Sequence, residues 1–148
     1  MAEGIMKDLI LDEVDSHGQI LPIKVMSAGT HAVDGSPASE YAIMVAAQHV
    51  IDISFHRSRH LSEEIVNEAD LILTMEKSHK DIINKTWPRV NNVYELKSFG
   101  RENDNKEFNR EIMDPIGMGF DVYLNVFNEI NDEILRVAKI IFSLAGEK

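Results

Sequence analysis

The stretch Ala69-Asp-Leu-Ile-Leu-Thr-Met75 is a nearly continuous apolar run with the length of a β-strand. Such runs are typical of parallel strands that helices cover on both faces, because a strand with one wet face alternates apolar and polar residues. Ile20–Met26 and Asn92–Phe99 also have strand character, and helical patterns separate the three segments. This alternation predicts an α/β fold, a three-layer sandwich in which a parallel sheet lies between helices.

Five segments have the apolar spacing or the capping residues of α-helices. Ser36 and Pro37 are typical of an N-cap and a first helical residue, and Ser62 is placed to cap a short helix. The polar segment Gly100–Ile112 is predicted to be a long loop that folds over the sheet edge as a lid. The predicted helices are Ala2–Asp15, Pro37–His49, Ser62–Glu68, Lys77–Lys85 and Phe120–Leu144.

The composition limits the classes of protein to which this chain can belong. The chain has 148 residues, 44% of them hydrophobic, as expected for one globular domain over residues 1–148. Its 15 basic and 25 acidic residues give a net charge of −10, which disfavours binding to nucleic acid or to an anionic membrane. The most apolar stretches are too short or too polar to span a bilayer, and the first residues do not resemble a signal peptide. A soluble, cytoplasmic protein is expected.

The chain contains no cysteine, so it has no disulfide, no cysteine-ligated metal and no thiolate nucleophile of its own. His56 and His60 have the spacing of metal ligands on one helix face, but no glutamate follows His56 and no third ligand is evident. No glycine-rich nucleotide-binding motif is present either. We therefore expect neither a metal nor a cofactor.

The candidate site residues lie in loops that follow the predicted strands. Active sites of parallel sheets lie at the carboxyl ends of the strands, so the loops after Met26, Met75 and Phe99 are expected to share one edge. Asp114, directly before Pro115, is either a general acid on a mobile loop or part of an Asp-Pro turn that starts the last helix.

Two further motifs have alternative interpretations. Ser27 follows the first predicted strand, and without a nucleophile-elbow motif around it a structural hydroxyl is favoured over a nucleophile. Arg57 and Arg59 form a basic island that either holds an anion such as phosphate or pairs with nearby acids on a solvated loop. The local sequence by itself favours the solvated loop.

Six motifs occur in a fixed order along the chain: Met1-Ala-Glu-Gly-Ile-Met-Lys-Asp-Leu-Ile10, Ser27-Ala-Gly-Thr30, Gly35-Ser-Pro-Ala-Ser39, His56-Arg-Ser-Arg-His-Leu61, Ala69-Asp-Leu-Ile-Leu-Thr-Met75 and Asp114-Pro-Ile-Gly117. In kind and order they resemble the low-molecular-weight protein tyrosine phosphatases, with their bacterial arginine-phosphatase and arsenate-reductase relatives. The resemblance extends from residue 1 to about residue 144.

The resemblance implies a site that is only partly present in this chain. In that family a strand and a Cys-x5-Arg-Ser-Pro loop precede the Met-Ala-Glu-Gly motif; the cysteine attacks phosphorus while the loop N–H groups and the arginine hold the phosphate. Neither element is present here, so we expect an N-terminally truncated member that is inactive by itself. The resemblance further implies that Asp114 is the general acid, and that Ser27 and His56 support the phosphate loop through hydrogen bonds.

The substrate and the biological role stay open at this point. The complete form is expected to hydrolyse phosphorylated protein substrates through a cysteinyl-phosphate. Members specific for phosphotyrosine have aromatic residues just after the Asp-Pro, where this chain has Ile116 and Gly117, so phosphoarginine or another phosphoester is also compatible. The alternative is a natural pseudo-phosphatase that serves as a binding or interaction module.

The absent strand is a central one in the resembled fold, between Ile20–Met26 and Ala69–Met75. Unpaired sheet edges associate readily, because their N–H and C=O groups lack partners. We therefore expect the sheet either to close this gap or to pair with a second copy of the chain in a homodimer.

Overall fold

The computed structural model describes residues 1–14, 17–101 and 109–146, and in them five helices and two strands form an α/β fold. The predicted α/β class with a parallel sheet is confirmed. The elements are α1 (Ala2–Ile10), α2 (Glu40–Gln48), α3 (Glu63–Glu68), β1 (Ile72–Thr74), α4 (Lys77–Thr86), β2 (Val93–Glu95) and α5 (Phe120–Gly146).

The two strands pair in parallel, with Ile72 opposite Val93 and Thr74 opposite Glu95. They lie inside the predicted segments 69–75 and 92–99, but each is only three residues long. The helix α4 connects them, because parallel neighbours need a crossover rather than a tight turn. One further ladder bond, from the Leu96 N–H to the Thr74 carbonyl at 2.9 Å, continues the pairing before the chain turns.

The long helix α5 supplies much of the larger hydrophobic core and packs against α1 and α2. Phe127 and Val137 of α5 are fully buried, and the His49 ring stacks on Phe127 with 4.4 Å between ring centroids. A smaller core lies under α3 and α4 and contains Leu61, Val66, Ile83 and Val93. Within the described residues, no helix is long and apolar enough to cross a membrane.

The predicted strand Ile20–Met26 is wrong as an element of the sheet, since this segment pairs with neither β1 nor β2. It makes one isolated antiparallel bridge, between Val14 and Ile20. Local β-character extends the chain, but a strand also needs a neighbour that exchanges hydrogen bonds with it. Burial alternates along the segment as in a strand with one core face, with the inward residues Leu21, Ile23 and Val25.

One edge of β1 carries no strand among the described residues. The ladder with β2 uses the backbone of Ile72 and Thr74, so the N–H and C=O of Leu73 point to the opposite edge of β1. No strand lies along that edge in the part of the chain that the structure describes. The expected closure of the sheet is therefore not formed by residues 1–14, 17–101 and 109–146.

Two helices differ from the prediction by three residues or more at one end. The helix α1 ends at Ile10, and the next apolar residues, Leu11 and Val14, are exposed; Asp15, its predicted end, lies outside the described residues. The helix α2 begins later than predicted, because Pro37 forms an antiparallel bridge with Arg57 and keeps that segment extended.

Serine hydroxyls cap the N-termini of α2 and α3. Ser39 rather than Ser36 caps α2, its Oγ accepting the Ala42 N–H at 3.4 Å. Ser62 caps α3 as predicted and accepts the Ile65 N–H at 3.3 Å. Each hydroxyl satisfies one N–H that the first helical turn leaves unbonded.

Candidate active site

Glu3, in the first turn of α1, is the acceptor at the centre of a small polar cluster. Its carboxylate accepts hydrogen bonds from the Ser27 N–H at 2.8 Å and from the Ser27 Oγ at 2.5 Å. Lys7, one helical turn further on, donates to the other oxygen at 2.5 Å. His56 Nδ1 lies 3.7 Å from Glu3 Oε2. The cluster therefore joins α1 to the loop that starts at Ser27 and to the loop that contains His56.

The environment of Glu3 keeps its carboxylate charged. The side chain is 10% exposed, and burial by itself raises its pKa. The hydrogen bonds from Lys7 and Ser27 outweigh burial and hold the pKa of Glu3 below its ordinary value. An ionised acceptor with two bonds to Ser27 fixes both the backbone and the hydroxyl of that residue in one orientation.

Asp114 lies on the loop before α5, apart from the Glu3 cluster, and no hydrogen bond or ion pair joins the two in the described residues. Its Oδ1 accepts the Ile116 N–H at 3.0 Å. This is an Asx turn, so the Asp-Pro turn that the sequence offered as one alternative is formed. The residue itself is exposed, whereas Pro115 beside it is buried and anchors the loop.

The chain on both sides of the predicted Gly100–Ile112 loop is tied to the body of the fold, although residues 102–108 of that loop lie outside the described residues. The Ile112 N–H donates to the Met75 carbonyl at 2.9 Å, which brings the Asp114 loop to the carboxyl end of β1. For the loops after Met75 and Phe99 this agrees with the expectation of one shared edge, whereas the loop after Met26 contacts Glu3 of α1 through Ser27.

The side chains of Lys97 and Arg136 form a clamp that holds the chain following β2. Lys97 is 7% exposed, forms an ion pair with Glu129 of α5 and donates to the Glu111 carbonyl at 3.0 Å. Arg136 of α5 donates to carbonyls of the turn after β2, Phe99 at 2.6 Å and Leu96 at 2.9 Å.

Glu133 completes this clamp. It pairs with Arg136 at 2.8 Å and with Arg101 at 3.0 Å. One end of the polar segment is thus attached to α5 directly through Arg101, and the other end is attached to it indirectly, because Lys97 binds both the Glu111 carbonyl and Glu129.

His56 and His60 have different neighbours in the folded chain. Across residues 1–14, 17–101 and 109–146, no group of three or more His, Asp or Glu side chains is arranged to hold an ion. His56 is directed instead at Glu3, and the backbone N–H of His60 bonds to the Asp34 carboxylate at 2.5 Å.

Comparison with known proteins identifies the family. The family model of the low molecular weight phosphotyrosine protein phosphatases matches residues 1–144. The chain belongs to this family. A protein-arginine-phosphatase of Geobacillus stearothermophilus is 34% identical over 122 residues, covering 82% of this chain and 78% of that protein. Family membership therefore rests on nearly the whole length of the chain.

A solved relative and a second curated relative complete the comparison. The arginine phosphatase YwlE from Geobacillus stearothermophilus superposes with a TM-score of 0.80 at 29% identity, over 96% of this chain and 83% of that chain. The probable low molecular weight protein-tyrosine-phosphatase EpsP of Ralstonia solanacearum is 45% identical over 80 residues. The match covers 53% of this chain and spans about half of EpsP, 55% of its length. The fold is thus that of the low molecular weight phosphatases.

The sequence motifs predicted two members of the Glu3 cluster, Ser27 and His56, which the structure brings together around Glu3. They also predicted Asp114 as a site residue, and the structure places it apart from this cluster. They missed Glu3, the residue through which the first two meet. The available signal was an acidic residue in the first turn of an amphipathic helix, inside the first family motif.

Proposed function

We propose that residues 1–148 form the part of a low molecular weight protein phosphatase that supplies the general acid and supports the phosphate loop. The Glu3 cluster carries this proposal, because it brings Ser27 and His56 together at the N-terminal turn of α1. A helix N-terminus offers free N–H groups and a positive partial charge, which favour a bound phosphate.

In the proposed reaction, Asp114 protonates the leaving oxygen or nitrogen as the phosphorus bond to it breaks and a phosphorus–sulfur bond forms. The same carboxylate then takes a proton from the water that attacks the cysteinyl-phosphate, as the phosphorus–sulfur bond breaks and releases the cysteine thiolate and inorganic phosphate. The Asx turn occupies Oδ1 of Asp114 and leaves Oδ2 for these proton transfers. The attacking sulfur belongs to the Cys-x5-Arg-Ser-Pro loop of the complete family form, since none of the 148 residues is a cysteine.

The proposed substrates are phosphorylated proteins, with phosphoarginine considered alongside phosphotyrosine. Ile116 stands just after the Asp-Pro and is 75% exposed, so an aliphatic side chain occupies a position where phosphotyrosine-specific members have an aromatic one. An aliphatic surface packs against the methylene stem of an arginine as well as against a ring. The relative with 34% identity is itself named a protein-arginine-phosphatase.

The 148-residue chain is expected to be inactive by itself. The test is hydrolysis of p-nitrophenyl phosphate by the purified chain, with an Asp114→Asn preparation as the matched control. The expected result is no turnover above buffer in either preparation. Turnover that disappears in the Asp114→Asn protein would contradict the proposal, whereas equal turnover in both identifies a contaminating phosphatase that further purification removes.

The alternative function is a natural pseudo-phosphatase, a single-domain cytoplasmic binding module that keeps the fold without the nucleophile. The exposed Asp114 loop and the loop with His56 would then be binding surfaces. The coding DNA upstream of Met1 separates the two hypotheses. An in-frame Cys-x5-Arg-Ser-Pro run favours the enzyme, and a stop codon directly upstream favours the binding module.

The open edge of β1 supports one more part of the proposal, pairing with a second copy of the chain. Leu73 presents its N–H and C=O along that edge, and no strand of the described chain covers them. Light scattering during size-exclusion chromatography tests this at several concentrations. A mass of twice 16.8 kDa is expected, and a monodisperse monomer at all concentrations would exclude the homodimer.

A further inference from the structure

The segment with Arg57 and Arg59 is a rigid strip rather than a loose loop. Arg57 bridges Pro37 in antiparallel fashion, and His60 bridges Gly29 in parallel. Four backbone hydrogen bonds of 2.8 to 3.0 Å join residues 58–61 to residues 29–36. In an extended chain residues two apart lie on the same side, so the strip presents Arg57 and Arg59 together.

Among the residues that the structure describes, neither guanidinium of this basic strip has an acidic partner. Arg57 Nη1 donates to the carbonyls of Ser54 at 3.0 Å and His56 at 2.7 Å, and Arg59 Nη1 lies 3.8 Å from the sulfur of Met26. Across the described ranges no carboxylate lies within ion-pair distance of either arginine, whereas Lys97, Arg101 and Arg136 are all paired.

This lack of partners is notable in a chain with 25 acidic and 15 basic residues. The carboxylates near the strip are engaged elsewhere, Asp34 with the His60 N–H and Asp52 with the Ser54 N–H at 2.8 Å. The pairing with nearby acids that the solvated-loop interpretation assumes is therefore not formed among the described residues.

The basic strip adjoins the candidate active site. Arg57 directly follows His56, whose ring lies 3.7 Å from Glu3. Arg59 contacts Met26, which directly precedes Ser27. A chain segment bound on the strip would therefore lie next to a phosphorylated residue held at the N-terminal turn of α1.

We propose that the basic strip binds carboxylates of an acidic polypeptide segment, namely the residues that flank the phosphorylated residue of the protein substrate. Guanidinium groups bind carboxylates through paired, charge-assisted hydrogen bonds, which suits side chains of Asp and Glu. A local positive field on a molecule with net charge −10 also orients an acidic partner toward this one face. The identity of this partner as a substrate rests on the proposed function, whereas binding of an acidic peptide does not.

Fluorescence anisotropy of a fluorescein-labelled hexaglutamate peptide at low ionic strength tests the strip without any catalysis. Arg57→Gln/Arg59→Gln is compared with Lys85→Gln/Arg89→Gln, which changes the net charge equally at exposed cations that make no ion pair in the described chain. The expected result is saturable binding that weakens with salt, with at least a fivefold loss for the strip variant and less than a twofold loss for the control.

Three outcomes would overturn the proposal: no saturable binding by the unchanged protein, equal losses in both double variants, or tighter strip-dependent binding of a labelled hexathymidylate than of the peptide. The last would make the strip a site for nucleic acid rather than for protein. Circular dichroism of each variant confirms that it is folded. Since the peptide carries no phosphate, failure of the phosphatase proposal leaves this result unaffected.

Discussion

Val50→Gly is expected to stabilise the protein. Val50 has a φ of 63°, in the left-handed region, and its side chain is 92% exposed. It closes α2 in a Schellman motif, with the Val50 N–H bonded to the Ala47 carbonyl and the Ile51 N–H to the Ala46 carbonyl, both at 3.0 Å. Glycine is the usual residue at this position, because a β-branched side chain crowds the backbone there.

The size of the effect is a balance of two terms. The left-handed conformation costs an L-residue about 1–2 kcal/mol, which glycine avoids. Glycine costs about 0.5–1 kcal/mol through the greater freedom of the unfolded chain. Loss of the Val50 side chain adds little because it is nearly all exposed. The net gain is about 0.5–1 kcal/mol, or about 1–4 °C in Tm for a domain of this size.

Thermal unfolding followed by circular dichroism measures this prediction. Val33→Gly is the matched control, since Val33 is also an exposed valine, at 75%, but is not among the described residues with positive φ. We expect Val33→Gly to lower Tm and Val50→Gly to raise it. A Tm for Val50→Gly equal to or below that of the unchanged protein would refute the reasoning about backbone strain.

Three further predictions concern stability. Glu3→Gln is expected to lower the free energy of unfolding by about 1–3 kcal/mol at pH 7, because the amide accepts weaker hydrogen bonds. The folded state lowers the pKa of Glu3, so the stabilisation by its carboxylate is complete above the ordinary value of 4.5 and is lost as the pH falls below it. Urea denaturation should show this difference at pH 7 and not well below pH 4, and a pH-independent difference would contradict it. Arg136→Lys should lower the free energy of unfolding by about 1–3 kcal/mol in the same measurement, because one ammonium cannot reach the Phe99 and Leu96 carbonyls and Glu133 together. A loss below about 0.5 kcal/mol would show that the branched guanidinium is not needed. Gly100→Ala should lower Tm more than Gly117→Ala, because both have positive φ but only at Gly100 would a Cβ lie 2.4 Å from Ile140 Cδ1; equal losses would leave backbone strain as the sole cause.

The parts of the fold that the sequence predicted correctly are those whose cause is local. The hydroxyl of Ser62 caps α3 whatever the rest of the fold does, and the apolar stripe of Phe120–Leu144 produces α5 almost to its observed end. The strand Ile20–Met26 failed because a ladder depends on a neighbouring strand, which one segment's residues cannot reveal.

The same difference between local causes and long-range contacts explains how much of the candidate site was predicted. The family motifs contained Ser27, His56 and Asp114, but their grouping depends on contacts between residues far apart in the chain. Ser27 and Glu3 are 24 positions apart, and only the folded chain shows that the carboxylate binds the serine. The roles of the three residues in catalysis stay predictions.

The clamp on α5 has a consequence for how this site can vary. Arg101 is fastened to Glu133 on one side of the polar segment, and Ile112 is fastened to Met75 on the other. Insertions or deletions between these two fasteners change the length of the connection without changing where it returns to the fold. The loop that carries Asp114 is therefore held by contacts that do not depend on the length of the segment before it.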